Sequence, residues 1–375
     1  MFGTERVKVA NMNYRYLGKT GIKVSEIALG CMTFETNYSK NITEKKAFEI
    51  LDFYVDNGGN FFDMADNYPG VEELFGRWLK TRNDRDQFVI ASKVRFPSLK
   101  RGINDVGLTR KHMIDAIDTA LKKIGAEYID LYQAHCFDEF TPLYETMRVF
   151  EDLIRAGKIR YAGGSNFAGR HIAKTGAYSK LKDLPHFQSY QIQYNLLTRT
   201  PEWEVIPAAA DAGSSITVWS PLASGWLTGK YKKDEIPPEN SRMGKLIQSI
   251  DQWNKLQTTD LSSQLPHPRS VADAEQNALD WIKVNNEKKW HVIDAVCDVA
   301  KKYERTPSQI ALAWLLKQDQ VCSAIVGVSS LSQLEDNLKA MDVVIEPNEL
   351  DWLNKVSYPS LVYPYDFLND YGKWR

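Results

Sequence analysis

Four cysteines, Cys31, Cys136, Cys297 and Cys322, are all that 375 residues contain. No two form a CxxC pair and none joins a histidine in zinc spacing. That excludes a disulfide framework and a zinc site, and fits a reduced, intracellular setting. Charge of one sign is also lacking. Lysine and arginine number 47 against 48 acids, for a net charge of −1, and no block of like charge forms a tail. The balance gives no footprint for nucleic acid or a membrane surface. No run of about 18 apolar residues is present, so no transmembrane helix is expected. The start, "MFGTERVKVANMN", has no apolar stretch of signal-peptide type. The expected location is the cytoplasm.

What is present is alternation. Short runs rich in Val, Ile, Phe and Tyr precede longer amphipathic stretches. The runs are residues 24–30, 60–65, 88–93, 128–135, 159–166, 190–195, 216–221 and 323–329. Between them, "ITEKKAFEILDFYVDNG" ends on Gly58, a suitable residue beyond a helix C-terminus. "TRKHMIDAIDTALKKIG" carries Met113, Ile117 and Leu121 on one face. "PLYETMRVFEDLIRAG" starts on proline and stops on glycine. "TPSQIALAWLLK" offers Thr306 as N-cap and Pro307 at the first helical position.

Eight strands with helical crossovers predict an α/β fold, a (β/α)8 barrel. A doubly wound sheet is the rival, but the first run ends in "ALGCMTF" without the GxGxxG turn of that fold. Residues 13–24 read as a hairpin around "GKTG", placed to plug the bottom of the barrel. Residues 231–290 read as a long insertion between the seventh and eighth strands, and 343–375 as a tail. The whole chain, 1–375, reads as one domain.

In such barrels the chemistry sits at the C-terminal ends of the strands. The second strand ends at Asp63, with Tyr68 on its loop. The third ends at Lys93 and the fourth at His135. Each has an ordinary structural use: a helix cap, a loop aromatic, a snorkelling lysine, a satisfied core histidine. Together they are hard to explain by packing, because buried charge is costly unless paired. They make a coherent proton donor. A free tyrosine has a pKa of about 10, and a neighbouring ammonium is expected to lower it. Asp63 holds Lys93 charged, and His135 orients a substrate carbonyl. These groups supply a proton to a forming alkoxide but no hydride, so a nicotinamide cofactor is implied.

With those residues, the sequence resembles the aldo-keto reductase superfamily from about Tyr14 to Asp342. "YLGKTGIKVSEIALGCMTF", "FFDMADNY", "ASK", "DLYQAH" and "GKIRYAGGSNF" are close to family wording, most of all in the branch with potassium-channel β subunits and microbial aldo/keto reductases. The resemblance implies Asp63, Tyr68, Lys93 and His135 as the catalytic tetrad and NADP(H) lying across the barrel mouth, with tolerance of NAD(H) open. It implies contacts to the cofactor from Gly30, Cys31, Met32 and Asp63. Ser165, Asn166 and Gln191 would hold the nicotinamide carboxamide, and Trp219 would stack on the ring. Ser220, Pro221, Leu222, Ser224 and Gly225 would line the pyrophosphate, with Lys230 behind. Gly327, Ser329, Gln333, Asp336 and Asn337 match the adenosine-end loop. The sequence departs from many relatives in lacking Lys or Arg at 327 or 329; Arg242 is in a setting to meet the 2′-phosphate instead. Cys31 stands where threonine is common.

The resemblance implies reduction of a small-molecule aldehyde or ketone, or oxidation of the corresponding alcohol or sugar. The alternative is a cofactor-binding regulatory subunit like the channel β subunits; the dozen or so residues before the match are fewer than such subunits tend to carry. Substrate choice is expected from residues 34–41, 94–108 and 136–141, the insertion and the aromatic tail. Phe34 and Trp226 are expected as apolar walls for an aryl or sugar-like carbonyl. The sequence sets no oligomeric state.

Overall fold

Successive residues along a strand face opposite sides, and in this chain both sides carry packing residues. The computed structural model describes residues 9–34, 42–97, 102–233, 235, 237–239, 241, 243–244 and 287–372. An antiparallel pair opens the chain, β1 (Tyr14–Tyr16) with β2 (Lys23–Ser25). Then come β3 (Ile27–Gly30), α1 (Glu44–Asp56), β4 (Phe61–Asp63), α2 (Val71–Leu79), β5 (Val89–Val94), α3 (Arg110–Ile124) and β6 (Ile129–Ala134). The alternation continues with α4 (Leu143–Arg155), β7 (Ile159–Ser165), α5 (Gly169–Lys182), β8 (Phe187–Gln193), α6 (Val205–Ala212) and β9 (Ser215–Trp219). After the insertion stand α7 (Glu287–Lys302), α8 (Pro307–Leu316), β10 (Val321–Val326), α9 (Leu331–Leu338), α10 (Pro347–Ser357) and α11 (Tyr365–Tyr371).

Strands β3 to β10 close a parallel barrel in which β10 pairs with both β3 and β9. The eight-stranded expectation holds. One run divides, however: residues 24–30 supply both the end of β2 and all of β3, and Glu26 between them donates its N–H to Asn13.

The period of two sorts the core. Ala28, Phe61, Val89, Ala91, Leu131, Cys322 and Ile325 face the barrel interior and share a buried cluster with Leu17 and Val24 of the hairpin. The hairpin therefore plugs the barrel, as its position predicts. Phe62, Ile90, Tyr132, Tyr190, Ile216 and Val218 face outward into the helix layer. Around Phe62, the rings of Tyr54, Phe75, Trp78 and Phe88 lie 5.1–5.5 Å away. Burying one such side chain stabilises by about 2 kcal/mol.

Local signals end the helices where the sequence places them. Thr109 Oγ1 accepts from the His112 N–H at 3.3 Å, and Gly125 closes α3 at φ 72°. Thr306 and Gln309 form a capping box ahead of Pro307. The 231–290 insertion is shorter than expected at its far end, because residues 287–290 already belong to α7. Its amphipathic face, with Trp290, Ile293 and Val296 buried, continues the helical pattern back past the assigned boundary.

Candidate active site

The alternation that buries Phe61 inside the barrel also turns Asp63 inward, two residues on. Lys93 follows Val89 and Ala91 in the same way, and His135 follows Leu131 and Gln133. Ser165 and Trp219 end β7 and β9, and Gln191 stands two residues before the end of β8, on the same rim. One geometric rule thus brings groups from six strands together.

Lys93 is fully buried and its Nζ donates to Asp63 Oδ2 at 2.7 Å and to the Met64 carbonyl at 3.0 Å. The other carboxylate oxygen accepts from Gln191 Nε2 at 2.7 Å. Burial works against the lysine charge, but Asp63 and Tyr68 outweigh it, so the Lys93 pKa is raised and the ammonium persists. Lys93 Nζ lies 5.4 Å from the Tyr68 ring centre, and the Tyr68 and His135 rings meet edge to face at 6.0 Å. The Tyr68 loop is short and tied down, with Met64 N–H donating to Ala91 and Asp66 N–H to Lys93.

The expectation of a lowered Tyr68 pKa needs correction. Lys93 pulls it down, but burial is the larger effect and Asp63 and Asp66 add to it, so the phenol is raised above its ordinary value. The Tyr68 phenol is therefore protonated at neutral pH. His135 is shifted to about 2 by burial, then by Lys93 and Arg95, so its imidazole is neutral. Its Nδ1 is buried with no partner among the described residues, and Phe96 packs on its ring at 4.8 Å.

The other expected contacts form two groups. Near the tetrad, Ser165 Oγ donates to the Gln191 carbonyl at 3.0 Å. Asn166, in the left-handed region at φ 54°, donates from Nδ2 to the His135 carbonyl at 2.9 Å and to Ser165 Oγ at 3.0 Å. Its Oδ1 accepts from Trp219 Nε1 at 3.0 Å. The Trp219 ring is thereby fixed beside the tetrad. Next comes a turn with Ser220, Ala223, Ser224 and Gly225 all at positive φ. Such turns cost strain, and here the N–H groups of Ala223 and Gly225 donate to the Ser220 and Leu222 carbonyls and that of Ser224 to Ser220 Oγ. Asn195 Nδ2 holds the turn at the Ser220 carbonyl, and Pro221 is buried beneath it. Leu222 packs against the core. A Cβ on Gly225 would lie 2.6 Å from Lys230 Nζ, which keeps that lysine close to the turn.

At the second group, Gly327 packs against Thr33, where a Cβ would approach to 2.9 Å. That brings the turn containing Gly30, Cys31 and half-buried Met32 beside the adenosine-end loop. The Ser329 N–H and Oγ both donate to Gln333 Oε1, and Asn337 is buried nearby on α9. Asp336, expected at the adenosine end, also has a structural task. Both of its oxygens accept from Thr306 Oγ1, and one also from Gln309 Nε2, so it braces the cap of α8. Arg242 lies outside the described residues, as do 35–41 and 98–101 of the expected substrate loops.

Two apolar walls are corrected as well. Phe34 is 3% exposed and Trp226 4%, the latter packed on Tyr231 and Trp290, so both are core residues. Cys31 is buried with its thiol pushed up by burial, and Sγ donates to the Leu29 carbonyl at 3.7 Å. The aromatic tail attaches to the loop after β8: Tyr365 packs on Trp203 at 5.1 Å, and Arg199 donates to the Asn354 carbonyl and Ser357 Oγ. Sequence reasoning missed the Gln191–Asp63 bond. Its only signal is that Gln191 ends an inward-facing position on β8.

The donor and acceptor set fits a nicotinamide dinucleotide. Amide and hydroxyl groups cluster beside the tetrad, an aromatic ring is fixed among them, and Lys230 stands at the turn that follows.

The family model described as "Aldo/keto reductase family" matches residues 26–357. The chain is 32% identical to "Uncharacterized oxidoreductase YrpG" of Bacillus subtilis (strain 168), over 92% of this chain and 96% of that one. It is 33% identical to "Putative voltage-gated potassium channel subunit beta" of Schizosaccharomyces pombe, over 91% of each. It is 30% identical to "L-glyceraldehyde 3-phosphate reductase" of Escherichia coli (strain K12), over 89% of each.

Proposed function

The chain belongs to the aldo/keto reductase family, and from that premise we propose an NADP(H)-dependent oxidoreductase that interconverts a small-molecule aldehyde or ketone with its alcohol. The observation that carries this reading is the buried Lys93–Asp63 pair at 2.7 Å beneath Tyr68, with the neutral His135 ring beside it. When bound, the nicotinamide supplies the hydride.

Every other part of the step belongs to the chain. Tyr68 holds a proton at neutral pH and gives it to the carbonyl oxygen as charge develops there. Lys93 favours the phenolate left behind, which makes the donor stronger in the transition state than in the ground state. Neutral His135 orients the carbonyl oxygen by hydrogen bonding. Asp63, held from the other side by Gln191, keeps Lys93 charged. In reverse the same groups oxidise an alcohol.

Ser165, Asn166, Gln191 and Trp219 are proposed to hold the nicotinamide. The turn from Ser220 to Gly225, with Lys230, is proposed for the pyrophosphate. Gly327, Ser329, Gln333 and Asn337, with Arg242, are proposed for the adenosine end. The chain reads as a single barrel domain. A panel of aldehydes and ketones followed by NADPH and NADH oxidation tests the reading. Tyr68→Phe is expected to lower turnover about 100- to 10,000-fold while fluorescence-detected NADPH binding survives. Turnover near the wild-type rate would sink the role of Tyr68.

The Schizosaccharomyces pombe relative supports a second reading, a cofactor-sensing subunit of a potassium channel. Co-elution of the purified chain with the cytoplasmic domain of such a channel, together with no carbonyl turnover, would favour it.

A further inference from the structure

Arg95 stands two residues beyond Lys93, just past the end of β5 on the catalytic rim. No part of the proposed proton transfer uses it. Other arginines of the fold have evident partners: Arg85 pairs with Asp130 at 2.7 Å and Arg199 with Glu202 at 2.7 Å. Arg95 makes no ion pair among the described residues, and its Nε is buried without a hydrogen-bond partner among them. A buried donor left unmade is costly, so such a group is seldom retained for packing alone.

Its surroundings place it beside the proposed reacting centre. The guanidinium carbon lies 5.6 Å from the Phe96 ring centre, and that ring packs on His135 at 4.8 Å. Arg95 is close enough to His135 and Cys136 for its charge to bear on both. Asp138 also feels the Arg95 charge, but its oxygens are committed elsewhere: it accepts from Leu108 N–H at 2.8 Å, Thr141 Oγ1 at 2.7 Å and Phe140 N–H at 3.1 Å. The loop is held at its base, where Gly107 N–H donates to the Arg95 carbonyl at 2.8 Å. Lys93, the other cation here, is taken by Asp63.

The barrel order decides which ligand Arg95 meets. The residues proposed for the cofactor's phosphates follow β9 and β10, whereas Arg95 follows β5, between β4 and β6 and across the barrel from β9. An anion at Arg95 therefore belongs to the substrate.

The geometry points to Arg95 as the anion-binding group of the substrate pocket, selecting carbonyl compounds that carry a carboxylate or a phosphate on the far side of the reacting carbon. The inference rests on the carbonyl-reductase reading and narrows its substrate class. Guanidinium presents a planar fork suited to either anion, and a neutral aldehyde leaves that fork unmatched.

The test compares matched pairs in NADPH oxidation: succinic semialdehyde against butanal, and glycolaldehyde phosphate against glycolaldehyde. The wild type is expected to favour one or both anionic members in kcat/KM, and the pair with the larger preference tells carboxylate from phosphate. Arg95→Gln is expected to cut that anionic-to-neutral ratio about 10- to 100-fold through KM, with Arg95→Lys in between. No preference in the wild type, or an unchanged ratio in Arg95→Gln, overturns the proposal. If no carbonyl turns over, the reductase reading fails separately. Tryptophan-fluorescence titration of wild type and Arg95→Gln with succinic semialdehyde and glycolaldehyde phosphate then decides Arg95: binding weakened about tenfold or more in the variant supports it, and equal or absent binding overturns it.

Discussion

His135 and Tyr68 show how burial sets protonation. Both are partly covered, and in both the desolvation effect leads the shift. The neutral form wins in each case, imidazole in one and phenol in the other. In the folded chain the His135 pKa lies near 2. Between that value and the unfolded value of about 6.5, the unfolded chain binds more protons than the folded one. Its contribution therefore lowers stability as pH falls through that window. His135→Gln is expected to flatten the acid side of the stability curve, measured by urea unfolding from pH 4 to 7. The kcat/KM profile of the wild type is expected to show no limb from His135 between pH 5 and 8. A limb in that range that vanishes in His135→Gln would contradict a neutral imidazole. Lys93 is the opposite case. Its charge survives full burial because Asp63 touches it, and removing one member of such a pair costs about 3–5 kcal/mol.

Among the elements, α2 and α3 pack against the outside of β4 and β5, the strands that carry Asp63 and Lys93. Their contact depends on Gly76, where a Cβ would lie 2.4 Å from the Lys123 carbonyl oxygen and 2.7 Å from that of Ile124. Helix α2 has no room to yield, because Phe75 and Trp78 on either side are locked in the aromatic cluster around Phe62. Gly76→Ala gains helix propensity of at most about 1 kcal/mol, and the overlap costs about 1–3 kcal/mol. The net expectation is destabilisation, read as a lower Tm. An unchanged or higher Tm would show that the two helices separate freely. The cap at α8 is a different kind of signal. Thr306, Pro307 and Gln309 announce it in the sequence, but the brace from Asp336 is contributed by a helix 27 residues beyond Gln309.

For the whole molecule, the hairpin closes one end of the barrel and the candidate site stands at the other. Leu17 is fully buried against the interior cluster. Leu17→Ala is expected to cost about 2–5 kcal/mol, measured by denaturant unfolding. Below the transition, kcat should stay near wild type, because the plug sits at the end of the barrel away from the chemistry. Loss of kcat in a folded variant would show that the plug also shapes the rim. The opening side was less legible. The tail is aromatic in sequence, yet only the folded chain shows Tyr365 on Trp203 and Arg199 under α10, beside the rim. Phe34 and Trp226 look like pocket walls by type and position, but long-range packing buries both.

The sequence by itself determined the barrel, its plug and the four groups of the proposed proton donor. These depend on periodicity and on which residue ends each strand, and both are local properties of the chain. Tertiary structure decided protonation and partnership. It raised Tyr68 instead of lowering it, gave Asp63 a second contact from Gln191, set Asp336 to brace a helix, and left the Arg95 Nε without a hydrogen-bond partner among the described residues. Each of these outcomes depends on burial and on neighbours from distant strands, quantities fixed only when the barrel closes.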